Sequence, residues 1–197
     1  MKIKEIKVFP VHQFIYVKIE TDKGIYGVGE ASLSGRSLAV VEALGHIKPL
    51  LIGQDPTRIE HIWQDVFRGT FWRGGPVLQS ALAGIDIALW DLAGKSLGVP
   101  TYRLLGGATR QKVLVYRHVG GQTSADLIEN AQKLLEDGWR VLRISPINTL
   151  TDGFNPKLAV LRGIEHFTAL REAVGDEVEI IFEVHTRLTP IRAVELC

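Results

Sequence analysis

The sequence holds a single cysteine, Cys197. A lone thiol has no partner within the chain, so a disulfide framework is excluded and a reducing, cytoplasmic setting is expected. A thiol at the last position is also a poor candidate nucleophile. Net charge is nearly absent, +1, without the basic surplus that nucleic-acid or acidic-membrane binding draws on. No nucleic-acid partner and no membrane partner is therefore expected. No stretch approaches the roughly 18 consecutive apolar residues of a membrane span. The opening stretch alternates charged and apolar residues and lacks the unbroken apolar core of a signal peptide. There are no repeats and no low-complexity segment, and the glycine-rich stretches match no phosphate-binding pattern.

What is present is an ordinary globular balance: 46% apolar and 23% charged residues in 197, enough for one large domain or two small ones. Residues 1–30 read as antiparallel strands. Ile3, Ile6 and Val8 supply one apolar set, Phe14 to Ile19 a second and Ile25 to Val28 a third. Thr21-Asp22-Lys23-Gly24 is good turn chemistry between the last two, which predicts a hairpin. Leu38, Val41, Leu44 and Ile47 then recur at helical spacing, predicting a helix over Ser37–Leu51. Ile59, Ile62 and Val66 predict a shorter one over residues 58–68. After the loop at residues 69–75, Pro76 suits the first turn of a helix running to Leu97, where Gly98 and Pro100 stop it.

Beyond Gly106-Gly107 the pattern changes. Strands are predicted at residues 112–119, 140–145 and 178–184, with helices at 124–137 and 158–174 and another opened by Pro190. Ser124 or Thr123 is the N-cap of the first of these helices. Strand and helix alternate as in a parallel sheet with crossover helices. The expected division is an α+β domain over residues 1–108 and the start of a β/α domain over residues 109–197. A closed (β/α)₈ barrel takes roughly 250 residues, so the chain is expected to be part of a longer protein. The alternative, a free-standing three-stranded α/β domain, leaves long sheet edges uncovered.

The stretch Ala81-Leu-Ala-Gly-Ile-Asp-Ile-Ala-Leu-Trp-Asp-Leu-Ala-Gly-Lys95, continuing to Leu104-Leu-Gly-Gly107, resembles the signature of the mandelate racemase and muconate lactonizing enzyme family of the enolase superfamily. Read physically, Ala81, Gly84, Ala88 and Ala93 permit close helix packing, and Asp91 and Lys95 are an i,i+4 ion pair. Thr101 departs from the aliphatic residue usual in the family. Gly24-Ile-Tyr-Gly-Val-Gly-Glu30 is similar to the family's hairpin, and Leu51-Ile-Gly-Gln-Asp-Pro56 and Phe71-Trp-Arg-Gly-Gly-Pro76 to its galactonate and mannonate dehydratase branches. The resemblance covers essentially the whole chain. It implies an α+β capping domain followed by the first strands and helices of a (β/α)₇β TIM-like barrel. It also implies Mg²⁺ as cofactor, a small sugar acid as substrate, and homo-oligomeric assembly.

The third strand of the second part, Val178-Glu-Ile-Ile-Phe-Glu-Val-His185, carries the chemistry. Alternation puts Val178, Ile180, Phe182 and Val184 on the face toward the helices. Glu179, Ile181, Glu183 and His185 share the other face, with Glu183 and His185 at the C-terminal end where barrel enzymes keep their sites. Glu183-Val-His185 resembles the Asp-x-His motif of sugar-acid dehydratases. The resemblance makes Glu183 a metal ligand and His185 the acid that protonates the departing hydroxyl, although Glu reaches one methylene further than the usual Asp. On the second strand Arg143 and Ser145 share the inward face, where lysine-based members of the family have Lys-x-Lys. Arginine keeps its proton, which argues against that branch. Mannonate dehydratases resemble this chain in having Arg here, paired with a loop Tyr; residues 146–156 contain no Tyr, and Phe154 is their only aromatic residue.

His12, Trp72 and Arg73, with His118, are candidates to line the substrate pocket, as capping-domain loops do in the family. The reading expected is a Mg²⁺-dependent acid-sugar dehydratase acting on a D-galactonate-like substrate, with catalytic His185 and Arg143. Mannonate or gluconate dehydration, or a catalytically inactive relative or fragment, are the alternatives. With one of three expected carboxylate ligands present, the 197-residue chain is expected to be inactive alone.

Overall fold

Alternation along the chain builds the first sheet. In the computed structural model, which describes residues 1–145 and 155–197, β1 (Ile3–Val11), β2 (Phe14–Thr21) and β3 (Tyr26–Glu30) form an antiparallel meander in that order. Ile15, Val17 and Ile19 of β2 are fully buried, whereas Phe14 and Tyr16 on the opposite face are exposed. Two lysines, Lys7 and Lys18, share the Glu20 carboxylate at 3.1 and 2.6 Å on that outer face.

Two helices, α1 (Ser37–Leu51) and α3 (Gly75–Leu97), cover the buried face, and α2 (Ile59–Arg68) packs against both. The buried stripe of α1 is Val40, Leu44, Ile47 and Leu51; Leu38, expected on that stripe, is 81% exposed in the first turn. A four-residue helix, α4 (Thr101–Leu104), follows the stop at Gly98 and was not anticipated by periodicity.

The length and apolar content of α3 match those of a membrane-crossing helix. Here they serve a core, since Ala81, Leu82, Ile85, Ala88, Leu89 and Leu92 are buried against the sheet. The small residues of α3 have a specific partner, β3. A Cβ on Gly27 would collide with the Ala88 carbonyl oxygen, one on Gly29 with that of Gly84, and one on Gly84 would lie 2.6 Å from the Ala31 Cβ. Helix and strand backbones therefore approach with no side chain between them. Between the two strand glycines, Val28 donates its N–H to Asp91 Oδ2 at 2.8 Å. Asp91, expected as half of an exposed ion pair, does bind Lys95 at 2.6 Å, but it also satisfies a β3 donor that β2 does not reach. Lys95 and Lys18 both lie over the Tyr26 ring, 4.6 and 4.2 Å from its centroid. Asp86, the other acid of α3, is half-buried; burial first, then the Glu60 charge, push its carboxyl above the usual range, opposed by the Trp90 side chain.

The chain divides into two units, Met1–Gln111 and Lys112–Cys197. In the second, β4 (Arg117–His118), β5 (Val141–Ile144) and β6 (Glu179–Phe182) form a parallel sheet in that order, with α5 (Ser124–Glu136), α6 (Pro156–Val174) and α7 (Pro190–Leu196) between and after them. Leu142 and Ile144 of β5 are fully buried beside Leu127, Ala131, Leu170 and Val178. Thr123, rather than Ser124, caps α5. Its Oγ1 accepts the Asp126 N–H at 3.2 Å while Asp126 Oδ2 accepts the Thr123 N–H at 3.0 Å, a reciprocal capping box.

Two strands differ from expectation. The one expected at residues 112–119 shrinks to Arg117–His118, the two residues that pair with Leu142 and Arg143 of β5. Val113 and Leu114 are accordingly 71% and 79% exposed. The third strand ends at Phe182. The Glu183 N–H still reaches the Ile144 carbonyl at 2.9 Å, but His185 and Thr186 take φ of 49° and 56° and turn the chain away. Of the loop expected at residues 146–156, residues 146–154, Phe154 among them, lie outside the described residues.

Two helix-interior glycines should respond to alanine with opposite signs. Gly84→Ala must displace Ala31 and is expected to destabilise by about 1–3 kcal/mol, the usual range for overpacking. Gly45, on the exposed side of α1, has nothing within 4 Å of its would-be Cβ, so Gly45→Ala is expected to stabilise by roughly 0.5–1 kcal/mol through helix propensity. Urea unfolding of both variants checks this; equal signs would contradict the packing described.

Candidate active site

The C-terminal ends of β5 and β6 lie side by side, with Arg143 opposite Ile181 and Ile144 opposite Phe182 in the register. Alternation on β5 sends Leu142 and Ile144 into the core and leaves Arg143 and Ser145 on the other face. Both reach across to the chain that follows β6. Arg143 Nη2 donates to Glu183 Oε2 at 2.7 Å. Its Nη1 donates to the Tyr116 hydroxyl at 3.1 Å and lies 3.2 Å from His118 Nε2. The guanidinium thus spends its fork on three neighbours, and its Cζ sits 5.3 Å from the Tyr116 ring centroid. Arg143 is 15% exposed and Glu183 33%. The pair is only partly screened, and two charges in this setting hold each other in a defined geometry.

Glu183 is held from its other side as well. Its Oε1 accepts the His185 N–H at 2.8 Å, which pins the carboxylate to the turn that follows. That N–H first, and the Arg143 guanidinium second, hold the Glu183 carboxyl below the usual carboxylate range, against an opposing push from burial. Ser145 Oγ lies 2.9 Å from the Glu183 carbonyl oxygen and 2.9 Å from His185 Nδ1. Arg143, Ser145, Glu183 and His185 thus form one connected group, with Tyr116 and His118 attached through Arg143. His185 owes its place to the turn and to Ser145, since the strand that was expected to carry it has already ended.

The other expected residues lie in the first unit. Trp72 and Arg73 follow α2 and line a cavity of about 270 Å³ together with His46, Leu50, Phe67 and Leu78. Trp72 is 79% exposed and meets Phe71 edge-on at 5.3 Å. His12 sits in the turn between β1 and β2 with φ of 55°. Tyr116 was not singled out in the sequence; two residues before His118, it shares that residue's side by alternation, which is the signal that would have found it. Among the described residues no group of three His, Cys, Asp or Glu side chains is placed to hold a metal. Glu183 is the one acid of the group. Each of its oxygens accepts one hydrogen bond and retains a further lone-pair direction, which a hard cation with oxygen ligands can use.

A family model for the N-terminal domain of mandelate racemase / muconate lactonizing enzyme matches residues 6–106. The chain is 43% identical to a D-mannonate dehydratase of Caulobacter sp. (strain K31), over 98% of this chain and 55% of that protein. It is 41% identical to a D-galactonate dehydratase of Pectobacterium atrosepticum, over 95% of this chain and 49% of that protein. Among solved structures it is similar to an enolase from Pantoea ananatis with bound D-gluconate and Mg, with TM-score 0.89 and 33% identity over 99% of this chain and 56% of that one. A member of the enolase superfamily from Salmonella Typhimurium gives TM-score 0.90 and 29% identity over 99% of this chain and 57% of that one. The chain spans about half the length of the relatives it matches.

The lowered Glu183 carboxyl has a consequence for pH. A group whose folded pKa is depressed adds stability above its unfolded value, about 4.3 for Glu, and loses it as pH falls through the folded value. The gap in urea midpoint between the wild type and Glu183→Gln is expected to be widest near neutrality and to close on acidification below the usual carboxylate range. A gap that stays constant through that range would contradict the pairing.

Proposed function

The chain belongs to the mandelate racemase / muconate lactonizing enzyme family, and from that premise we propose that the intact protein is a Mg²⁺-dependent acid-sugar dehydratase acting on D-galactonate or a close relative of it. The observation that carries the proposal is the connected group Arg143, Ser145, Glu183 and His185 at the ends of β5 and β6. It joins a carboxylate to an imidazole, the metal ligand and the acid that such a dehydration needs. The three parallel strands are read as the first strands of a (β/α)₇β barrel. The reaction is assigned to the cytoplasm and the intact protein to a homo-oligomer, both on the resemblance alone.

Dehydration removes a proton from the carbon beside the carboxylate and hydroxide from the next carbon. The electrons of the breaking C–H bond form the C=C bond as the C–O bond breaks. The resulting enol becomes a 2-keto-3-deoxy acid. Hydroxide is a poor leaving group, so a positioned acid that lets it leave as water contributes typically 10²–10⁴-fold. His185 takes that role. Arg143, always protonated, serves by holding Glu183 and by its positive charge near an anionic substrate. Glu183 would hold the cation through the free lone pairs of its carboxylate. When bound, Mg²⁺ would grip the substrate carboxylate and offset the negative charge that develops there. The base and the remaining ligands are assigned to the part of the relatives' length that this chain does not span. His12, Trp72 and Arg73 are assigned to substrate binding on the strength of the family alone.

A second reading within the class, D-mannonate or D-gluconate dehydration, is favoured by Arg143 and by the 43% identical D-mannonate dehydratase. The Tyr116 hydroxyl on Arg143 gives that Arg a phenol partner from another part of the chain. Incubating the intact protein and Mg²⁺ with D-galactonate, D-mannonate and D-gluconate, and measuring keto-acid formation, separates the two. Turnover of none of the three would refute both.

In the intact protein His185→Asn is expected to abolish dehydration and to spare exchange of the proton beside the carboxylate, because exchange needs the base and the metal but not the acid. Proton NMR of the substrate in heavy water reads both. Loss of exchange and elimination together would remove His185 from the acid role.

A further inference from the structure

The proton positions around Ser145 are fixed by counting donors. Its hydroxyl carries one hydrogen and meets two groups, the Glu183 carbonyl oxygen at 2.9 Å and His185 Nδ1 at 2.9 Å. A carbonyl oxygen only accepts. Among the described residues no other donor reaches that carbonyl. The Ser145 hydrogen therefore belongs to Glu183, and the oxygen has only a lone pair left to offer the ring. A lone pair facing Nδ1 at this distance requires a hydrogen on Nδ1.

We propose that Ser145 is a positioning residue that fixes His185 as the Nδ1–H tautomer, so that Nε2 is the ring atom presented to the substrate. Its catalytic meaning rests on the acid role proposed above; the tautomer itself rests on the geometry alone. The two ring nitrogens of histidine are distinct, and the hydrogen bond made by one sets the work of the other. With Nδ1–H spent on Ser145, the mobile proton is the one on Nε2. A ring that has just released that proton is left in the tautomer Ser145 prefers, with no rearrangement needed before the next cycle. The backbone of His185 is committed in the same sense. Its N–H binds Glu183 Oε1 and its φ is 49°, so the ring leaves the chain from a turn braced at both Glu183 and Ser145. The inward placement of Ser145 beside Arg143 on β5 follows from strand alternation.

The test is the ring tautomer in the intact protein, read by long-range ¹H–¹⁵N NMR on ¹⁵N-histidine label at alkaline pH without metal or substrate. His185→Asn identifies the signal. The wild type is expected to show Nδ1–H. Ser145→Ala is expected to lose that preference, and Ser145→Thr, which keeps the hydroxyl, to restore it. Retention of Nδ1–H in Ser145→Ala would overturn the proposal, as would an Nε2–H wild type. Should Ser145→Ala fail to fold, the wild-type and Ser145→Thr spectra still decide, since both must show Nδ1–H. Dehydration is expected to slow in Ser145→Ala by roughly 10–100-fold, by analogy with the loss of a partner that orients a metal-bound imidazole. A changed tautomer with undiminished dehydration would uphold the tautomer assignment and refute the catalytic importance given to Ser145.

Discussion

In the first unit two backbones lie against each other, α3 on β3, and much else follows from the absence of side chains between them. Gly27 and Gly29 on the strand and Gly84 on the helix remove the Cβ atoms that would hold the elements apart. Interiors packed at crystal-like density leave little room to absorb even a methyl group. The contact sets the height of α3 over the sheet, which brings Asp91 within reach of the Val28 N–H. It also lets Ile85, Leu89 and Leu92 bury against Ile15, Val17 and Ile19. A helix of ordinary bulk could cover the same sheet, but from further away, and the Val28 donor would need another acceptor.

The second unit depends on a different kind of constraint. Among the described residues its sheet is three strands wide, and apolar burial alone does not fix the chain beyond the end of β6. Charge and hydrogen bonding do. Arg143 holds Glu183, Glu183 holds the backbone of His185, and Ser145 holds both. Each bond constrains a residue that another bond constrains as well, so the turn at His185 and Thr186 is over-determined. Non-glycine residues at positive φ persist where the surroundings fix them, and such places cluster at functional sites. In the reading proposed here the strain is spent on aiming one imidazole.

Much of this was legible in the sequence, because the fold follows local rules. The turn at Thr21 to Gly24, the helix over Ser37–Leu51, the stop at Gly98 and the β-α alternation beyond Gly107 all rest on periodicity and turn chemistry, which act over a few residues. The small residues of α3 announced close packing, but their partner did not appear: nothing local in Gly27-Val-Gly29 says which helix will lie on it. The same limit applies at the site. Alternation put Glu183 and His185 at one end of a strand and Arg143 and Ser145 on the inward face of another. It gave no hint that the strand would stop at Phe182: histidine enters the left-handed region more often than most residues, but β-branched Thr186 rarely does, and nothing local announces two in succession. Tyr116 was overlooked because its role comes from Arg143, 27 positions away in the chain.

In the proposed reading Arg143, Ser145, Glu183 and His185 form one side of an acid-sugar dehydratase site. A crystal structure of the intact protein with Mg²⁺ and a non-reacting sugar acid tests it most directly. The Glu183 carboxylate is expected in the metal's coordination shell, at the roughly 2.0–2.1 Å of a Mg²⁺–oxygen bond, and His185 Nε2 within hydrogen-bonding distance of the hydroxyl two carbons from the carboxylate carbon. A metal bound without Glu183, with that residue still closed on Arg143 and His185 facing away from the sugar acid, would contradict it.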